Sequence, residues 1–164
     1  MELDEIIYTA LMANQTLKTI CGWKPASVST PEVPARIYST CIEVPPTEED
    51  KTPLPYLIIV EEPSQNGHGT KDNVWESGMD IVNVGVIISA TSPKDVKNLR
   101  KLVRAAIGSY VESMTEDFPY LRQASRDGTA WDWMKPCYYD ILHYQCDMNM
   151  NKNIDLNDNE DEQD

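Results

Sequence analysis

A valine-rich run, Ile81-Val-Asn-Val-Gly-Val-Ile-Ile-Ser-Ala90, is followed at once by Ser92-Pro93-Lys94-Asp95, and this strand-to-helix junction constrains the fold more than any other feature. Its even positions, Val82, Val84, Val86, Ile88 and Ala90, are continuously apolar, whereas Ile81, Asn83, Gly85, Ile87 and Ser89 are mixed. Side chains alternate across a strand, so one face is suited to burial and the other to partial access. The pattern predicts a strand over 75–90, with Gly78 or Gly85 as bulge sites, in a sheet with helices on one side. Ser92 suits an N-cap, Pro93 the first helical position and Asp95 the first turn. Val96, Leu99, Leu102, Val103, Ala106, Ile107, Tyr110 and Val111 then follow at helical spacing. Lys94, Lys97, Arg100, Lys101 and Arg104 occupy much of the remaining helix surface. A solvated face explains such a cluster most simply; the functional alternative is a patch on Lys97, Lys101 and Arg104 that meets an acidic neighbour.

Upstream, Leu3, Ile6, Ile7, Ala10, Leu11, Leu17 and Ile20 form one stripe, predicting a single helix over 2–21 stopped by Gly22. Residues 23–34, with Pro25, Pro31 and Pro34, read as a connector, and 35–42 as a β-branched strand. The acidic, proline-bearing stretch 43–53 leads to an apolar strand over 54–61, where Pro55 is tolerable only near the start. Glu62 to Asn73 is a polar loop, longer than a tight hairpin needs, with Asn66, Gly67, His68 and Gly69 as a candidate contact tip. Pro119, Asp127-Gly128 and Pro136 make 115–136 read as irregular. Trp131 and Trp133 in that stretch either pack on the domain's own sheet or anchor an interface. Tyr138 to Met148 alternates as a half-buried final strand. The order α-β-β-β-α-β predicts an α+β domain: a four-stranded, mostly antiparallel sheet with two helices packed on one face.

The 164-residue chain is long enough for one domain with a genuine core, expected over 1–148. Its net charge is −13. Residues 149–164 carry six acids against Lys152, hence −5, which leaves −8 on the body. Having few apolar side chains, this tail is expected to be disordered. An acidic body disfavours phosphate binding. The acidic N-terminus lacks the positive charge of a secretory signal, and no apolar run is long enough for a bilayer, so the expectation is a cytoplasmic protein without a membrane partner.

Chemistry-bearing motifs are scarce. Cys21, Cys41, Cys137 and Cys146 show no zinc-type pairing with one another or with His68 and His143, so they are expected to be reduced, buried hydrophobes. Asn66-Gly67-His68-Gly69-Thr70 lacks the phosphate-loop lysine, and no Gly-x-Ser-x-Gly elbow exists. Glu61, Glu62 and His68 could form an acid–base site, but adjacency in sequence is poor support for geometry. No catalytic residue, metal or cofactor is expected.

The series of elements resembles the small tail-terminator or tail-completion proteins of long-tailed phages and prophages. It comprises the N-terminal helix, Ala35-Arg36-Ile37-Tyr38, Leu54-Pro55-Tyr56-Leu57-Ile58-Ile59, a polar loop, Val84-Gly85-Val86-Ile87-Ile88-Ser89-Ala90, the Ser92-Pro93-Lys94-Asp95 helix start and a terminal strand. It covers about residues 2–148; the connector 43–53, the aromatic stretch 115–136 and the acidic tail depart from it. The resemblance implies a homo-oligomeric ring, commonly a hexamer, that caps the tail tube and ends its polymerisation. The implied partners are the tail-tube protein and a head-completion or neck protein, with DNA passing the lumen without specific binding. The implied location is the host cytoplasm during assembly, then the tail and neck of the virion. Alternatives are another neck or minor tail component, such as a head-closure or connector subunit, or a ferredoxin-like ligand-binding regulatory module.

Overall fold

The computed structural model of the protein describes residues 2–40, 42, 52–65, 79–113 and 121–149. The N-terminal segment forms two helices, α1 (Leu3–Ala13) and α2 (Gln15–Ile20), rather than the single one expected. Asn14 makes the break: its backbone is extended and its Oδ1 accepts from the Leu17 N–H at 2.9 Å. Asparagine offers the backbone a local bond that competes with the helical one, which suits it to a cap. The predicted stop at Gly22 is present as a Schellman turn, with Trp23 N–H on Lys18 O, Gly22 N–H on Thr19 O and φ +90° at the glycine. A Cβ there would also run into the Arg36 guanidinium.

Among the described residues six strands form one mostly antiparallel sheet in the order β1-β2-β3-β6-β4, with β5 also paired to β6. They are β1 (Ile37–Ser39), β2 (Tyr56–Gln65), β3 (Met79–Ala90), β4 (Arg122–Arg126), β5 (Ala130–Asp132) and β6 (Cys137–Asn149). Among these described strands β1 and β2 are the one parallel pair. The α+β class and one-sided helix packing are as expected, but the count of four strands is corrected to six. The stretch 115–136, read as irregular, contains β4 and β5, which pair with successive lengths of one edge of β6. Arg122-Gln-Ala-Ser-Arg126 has no apolar alternation because its side chains are mostly exposed, so nothing in its pattern announces a strand.

The other strands also shift at their ends. β1 is shorter than the predicted 35–42. β2 continues past Glu61 through an irregularity between Glu62 and Gln65, where the Asn83 amide donates to Pro63 O at 2.8 Å. β3 begins at Met79 in the described residues, and Gly78 lies outside them. Gly85 is in register with both neighbours and is not a bulge. β6 runs one residue past the predicted boundary, to Asn149, and the acidic remainder, 150–164, lies outside the described residues.

Helix α3 (Pro93–Ser113) starts as its sequence predicts, with the Asp95 N–H donating to Ser92 Oγ at 3.2 Å. Val96, Leu99 and Val103 of α3 and Leu3, Ile7 and Leu11 of α1 pack on Leu57, Ile59, Val86, Ile88 and Leu142 of the sheet. Truncating one such side chain to alanine typically costs about 2–5 kcal/mol. The same face holds Asp140, fully buried, with Arg126 Nε at 3.1 Å, Arg100 Nη1 at 3.4 Å and the Gly128 N–H at 2.9 Å. The pairing compensates the burial of a charge, which is costly alone. None of the described helices is long and apolar enough to cross a membrane.

Candidate functional site

The second face of the sheet is the candidate site. Register places its side chains in rows across β2, β3 and β6: Tyr56–Ser89–Tyr139, Ile58–Ile87–Ile141, Val60–Gly85–His143 and Glu62–Asn83–Gln145. The isoleucines and Val60 are only half-buried, in contrast to Leu57, Ile59, Val86 and Ile88 beneath the helices. The first row is partly roofed by the β5–β6 turn, with Lys135 Nζ 5.1 Å from the Tyr56 ring centroid. Asp132 Oδ1 shapes that turn by accepting from the Met134 N–H at 3.0 Å and the Lys135 N–H at 3.3 Å. Trp133 and Met134 project from it, 87% and 76% exposed.

At the other end of the face, His143 is clamped between two carboxylates. Its Nδ1 lies 2.8 Å from Glu62 Oε1, and its Nε2 lies 2.6 Å from Asp127 Oδ1. Glu62 belongs to β2, two strands from His143, and reaches it by passing over β3 at Gly85. A Cβ at position 85 would sit 2.5 Å from Glu62 Oε1 and 3.1 Å from a Val60 methyl, so the glycine makes room for the crossing. Burial pushes the His143 pKa down, but hydrogen bonds to Asp127 and Glu62, together with their charges, outweigh it and leave it above 6.5. Imidazolium donates from both nitrogens, so the charged form satisfies both carboxylates, whereas the neutral ring has one donor. With both nitrogens engaged, this histidine has no free lone pair to take a proton from a bound substrate.

The predicted site residues among the described ones, Trp131, Trp133, Lys97, Lys101 and Arg104, form no single cluster. Asn66, Gly67, His68 and Gly69 lie outside the described residues, so the loop tip and the Glu61–Glu62–His68 grouping have no described geometry. Trp131 lies on β5, 37% exposed, with its ring edge-on to Tyr138 at 4.8 Å between centroids, and so packs on its own sheet. Trp133 contacts Trp131 edge-on at 6.3 Å but remains largely exposed. Lys97, Lys101 and Arg104 are exposed on the outer surface of α3, and Arg104 Nε donates to Gln123 Oε1 on β4. Sequence reasoning missed the Glu62–Asp127–His143 clamp. Its partners are 81 and 16 residues from the histidine, and no local motif joins them.

Cys21, Cys137 and Cys146 are buried and form no disulfide with one another; Cys41 lies outside the described residues. Burial raises the Cys21 thiol to about 11, against the lowering charge of Arg36. Burial also raises Cys137, followed by the charge of Asp132, with Ser89 and Lys135 opposing. Both therefore remain thiols at neutral pH, the unreactive form. Among the described residues no group of three or more His, Cys, Asp or Glu side chains is placed to hold a metal ion.

Fold and site together define a mixed α+β domain with one sheet face under helices and the other open, apolar at its centre and charged at one end. In comparison with known proteins, no family model matches the chain and no curated sequence matches it.

Proposed function

We propose that the chain is a non-catalytic structural subunit that closes a ring with copies of itself, caps a phage or prophage tail tube, and so ends tail polymerisation within the head–tail joint. The observation that carries this reading is the half-buried row Ile58–Ile87–Ile141 on the open face, with Trp133 and Met134 exposed on the β5–β6 turn of the same subunit. Apolar surface grouped in this way gains most from a partner. Trp133 is of the residue type that anchors interfaces when it enters a neighbour's pocket. A head-to-tail contact, turn of one copy on face of the next, is heterologous and closes into a ring when the rotation permits.

The clamp supports the absence of catalysis, since both His143 nitrogens are occupied by carboxylates. The net charge of −13 supports a lumen past which DNA slides, because an acidic wall repels phosphates. In this reading the ring is a hexamer, with the tail-tube protein on one side and a neck protein on the other. The test is growth of the cognate tail tube with and without the protein, followed by electron microscopy. The expected outcome is tubes of bounded length, each ending in a ring. Tubes that grow unchanged with bare tips would remove the tail-terminator reading.

A further inference from the structure

We propose that the chain's own acidic C-terminal segment, residues 150–164, docks in cis along the outer surface of α3, with Ile154 and Leu156 at a groove between α3 and β4 and the later acids on Lys101, Lys97 and Lys94. Three independent features lead there. Lys94, Lys97, Lys101 and Arg104 recur at spacings of three and four, which aligns them along one side of the helix, and all four are exposed. Among the described residues the three lysines have no ion-pair partner. Like charges at these spacings oppose helix formation, so this stripe favours an anionic neighbour.

Where the stripe ends, a groove of about 360 Å³ opens, with Ile107, Val111, Leu121 and Tyr144 as apolar lining, and two cations, Arg104 and Arg122, against one acid, Glu112. That chemistry suits a peptide with apolar side chains among acids, and Ile154-Asp155-Leu156 followed by Asp158, Glu160, Asp161, Glu162 and Asp164 is such a peptide. The segment carries −5, from six acids and Lys152.

The topology puts the segment within reach. Arg100 meets Asp140, and Arg104 meets Gln123, the partner of Tyr144, so α3 and β6 run in the same direction. The chain therefore leaves the sheet at Asn149 near the C-terminal half of α3, five residues beyond the groove residue Tyr144. Five residues span at most about 17 Å, and the groove itself extends from Arg104 to Val111, about 10 Å toward Asn149, so Ile154 can reach it with length left for the turn. From Arg104 back to Lys94 is about 15 Å along the helix, and the eight residues from Leu156 to Asp164 span up to about 27 Å. This docking uses the helix side of the molecule and does not depend on the ring.

The test is zero-length carbodiimide coupling of carboxylates to amines in the full chain, as a mixture of isotopically heavy and light protein read by mass spectrometry. The expected result is amide links from Lys97 and Lys101 to acids in 158–164, within single molecules only. Yield should fall about fivefold or more in 1 M salt, where the Debye length shrinks to about 3 Å. It should fall severalfold in the Ile154→Ser, Leu156→Ser double variant, because the groove then loses its occupants. Absence of links, heavy–light pairs in place of intramolecular links, or a yield indifferent to salt or to the double variant would overturn the proposal.

Discussion

Asp140 and His143 lie close together on β6 but face opposite sides of the sheet, and they are electrostatic inverses of each other. Asp140 is a fully buried anion held by Arg100, Arg126 and the Gly128 N–H. His143, 24% exposed, is an imidazole held by two anions, Glu62 and Asp127. One turn serves both: Asp127 sends its carboxylate to the open face, while Gly128, at φ +93°, aims its N–H at the helix side. The difference is one of environment. Under the helices a charge is held in a packed, water-poor layer, whereas on the open face the clamp stays within reach of solvent and protons.

The largest effect is expected on the buried side. Asp140→Ala leaves Arg100 and Arg126 without their shared anion, and removing one partner of a buried pair typically costs about 3–5 kcal/mol. Arg126 is 39% exposed and can turn to water, so a loss of about 3 kcal/mol is expected in denaturant unfolding. A loss below about 1 kcal/mol would show that the buried cluster does not hold α3, β4 and β6 together.

A smaller effect belongs to Gly85→Ala. The new methyl displaces Glu62 from His143, forfeiting a charge-assisted bond worth about 1.5–3 kcal/mol, while replacing glycine in a strand returns roughly 0.5–1 kcal/mol. A net loss of about 1 kcal/mol follows from these two terms. Unchanged or raised stability would mean that the crossing of Glu62 over β3 contributes nothing.

The smallest effect is the pH dependence, and it separates the two clusters most cleanly. The His143 pKa is raised in the folded state, so its stabilising contribution is complete below the unfolded value of about 6.5 and is lost as pH rises through the folded value. Unfolding free energy should therefore fall over that interval in the wild type, less in Gly85→Ala, and not from this source in His143→Gln. An identical fall in all three proteins would assign the dependence to other groups.

These clusters also show what the sequence could reveal. The helix start at Ser92 and the buried positions Val84, Val86, Ile88 and Ala90 were legible because capping and alternation are local. The Schellman stop at Gly22 was legible for the same reason. Asn14 was passed over because an apolar stripe continues on both sides of it, although its side chain could compete for the backbone. β4 and β5 were hidden because edge strands paired through the backbone need no apolar alternation. The open face was anticipated from the mixed odd positions of β3. The His143 clamp was not, since its carboxylates come from β2 and the β4–β5 turn and meet the histidine only through sheet register.

The proposal that the open face joins copies of this chain is tested most directly by mass in solution as a function of concentration, for the wild type and for Ile141→Asp. Ile141 is half-buried at the centre of that face and outside both charge clusters, so aspartate there burdens an interface more than the fold. The expected result is a closed oligomer of one size for the wild type, alone or with tube protein, and a folded monomer for Ile141→Asp. A wild type that stays monomeric in both conditions, or an oligomer that Ile141→Asp leaves intact, would contradict it.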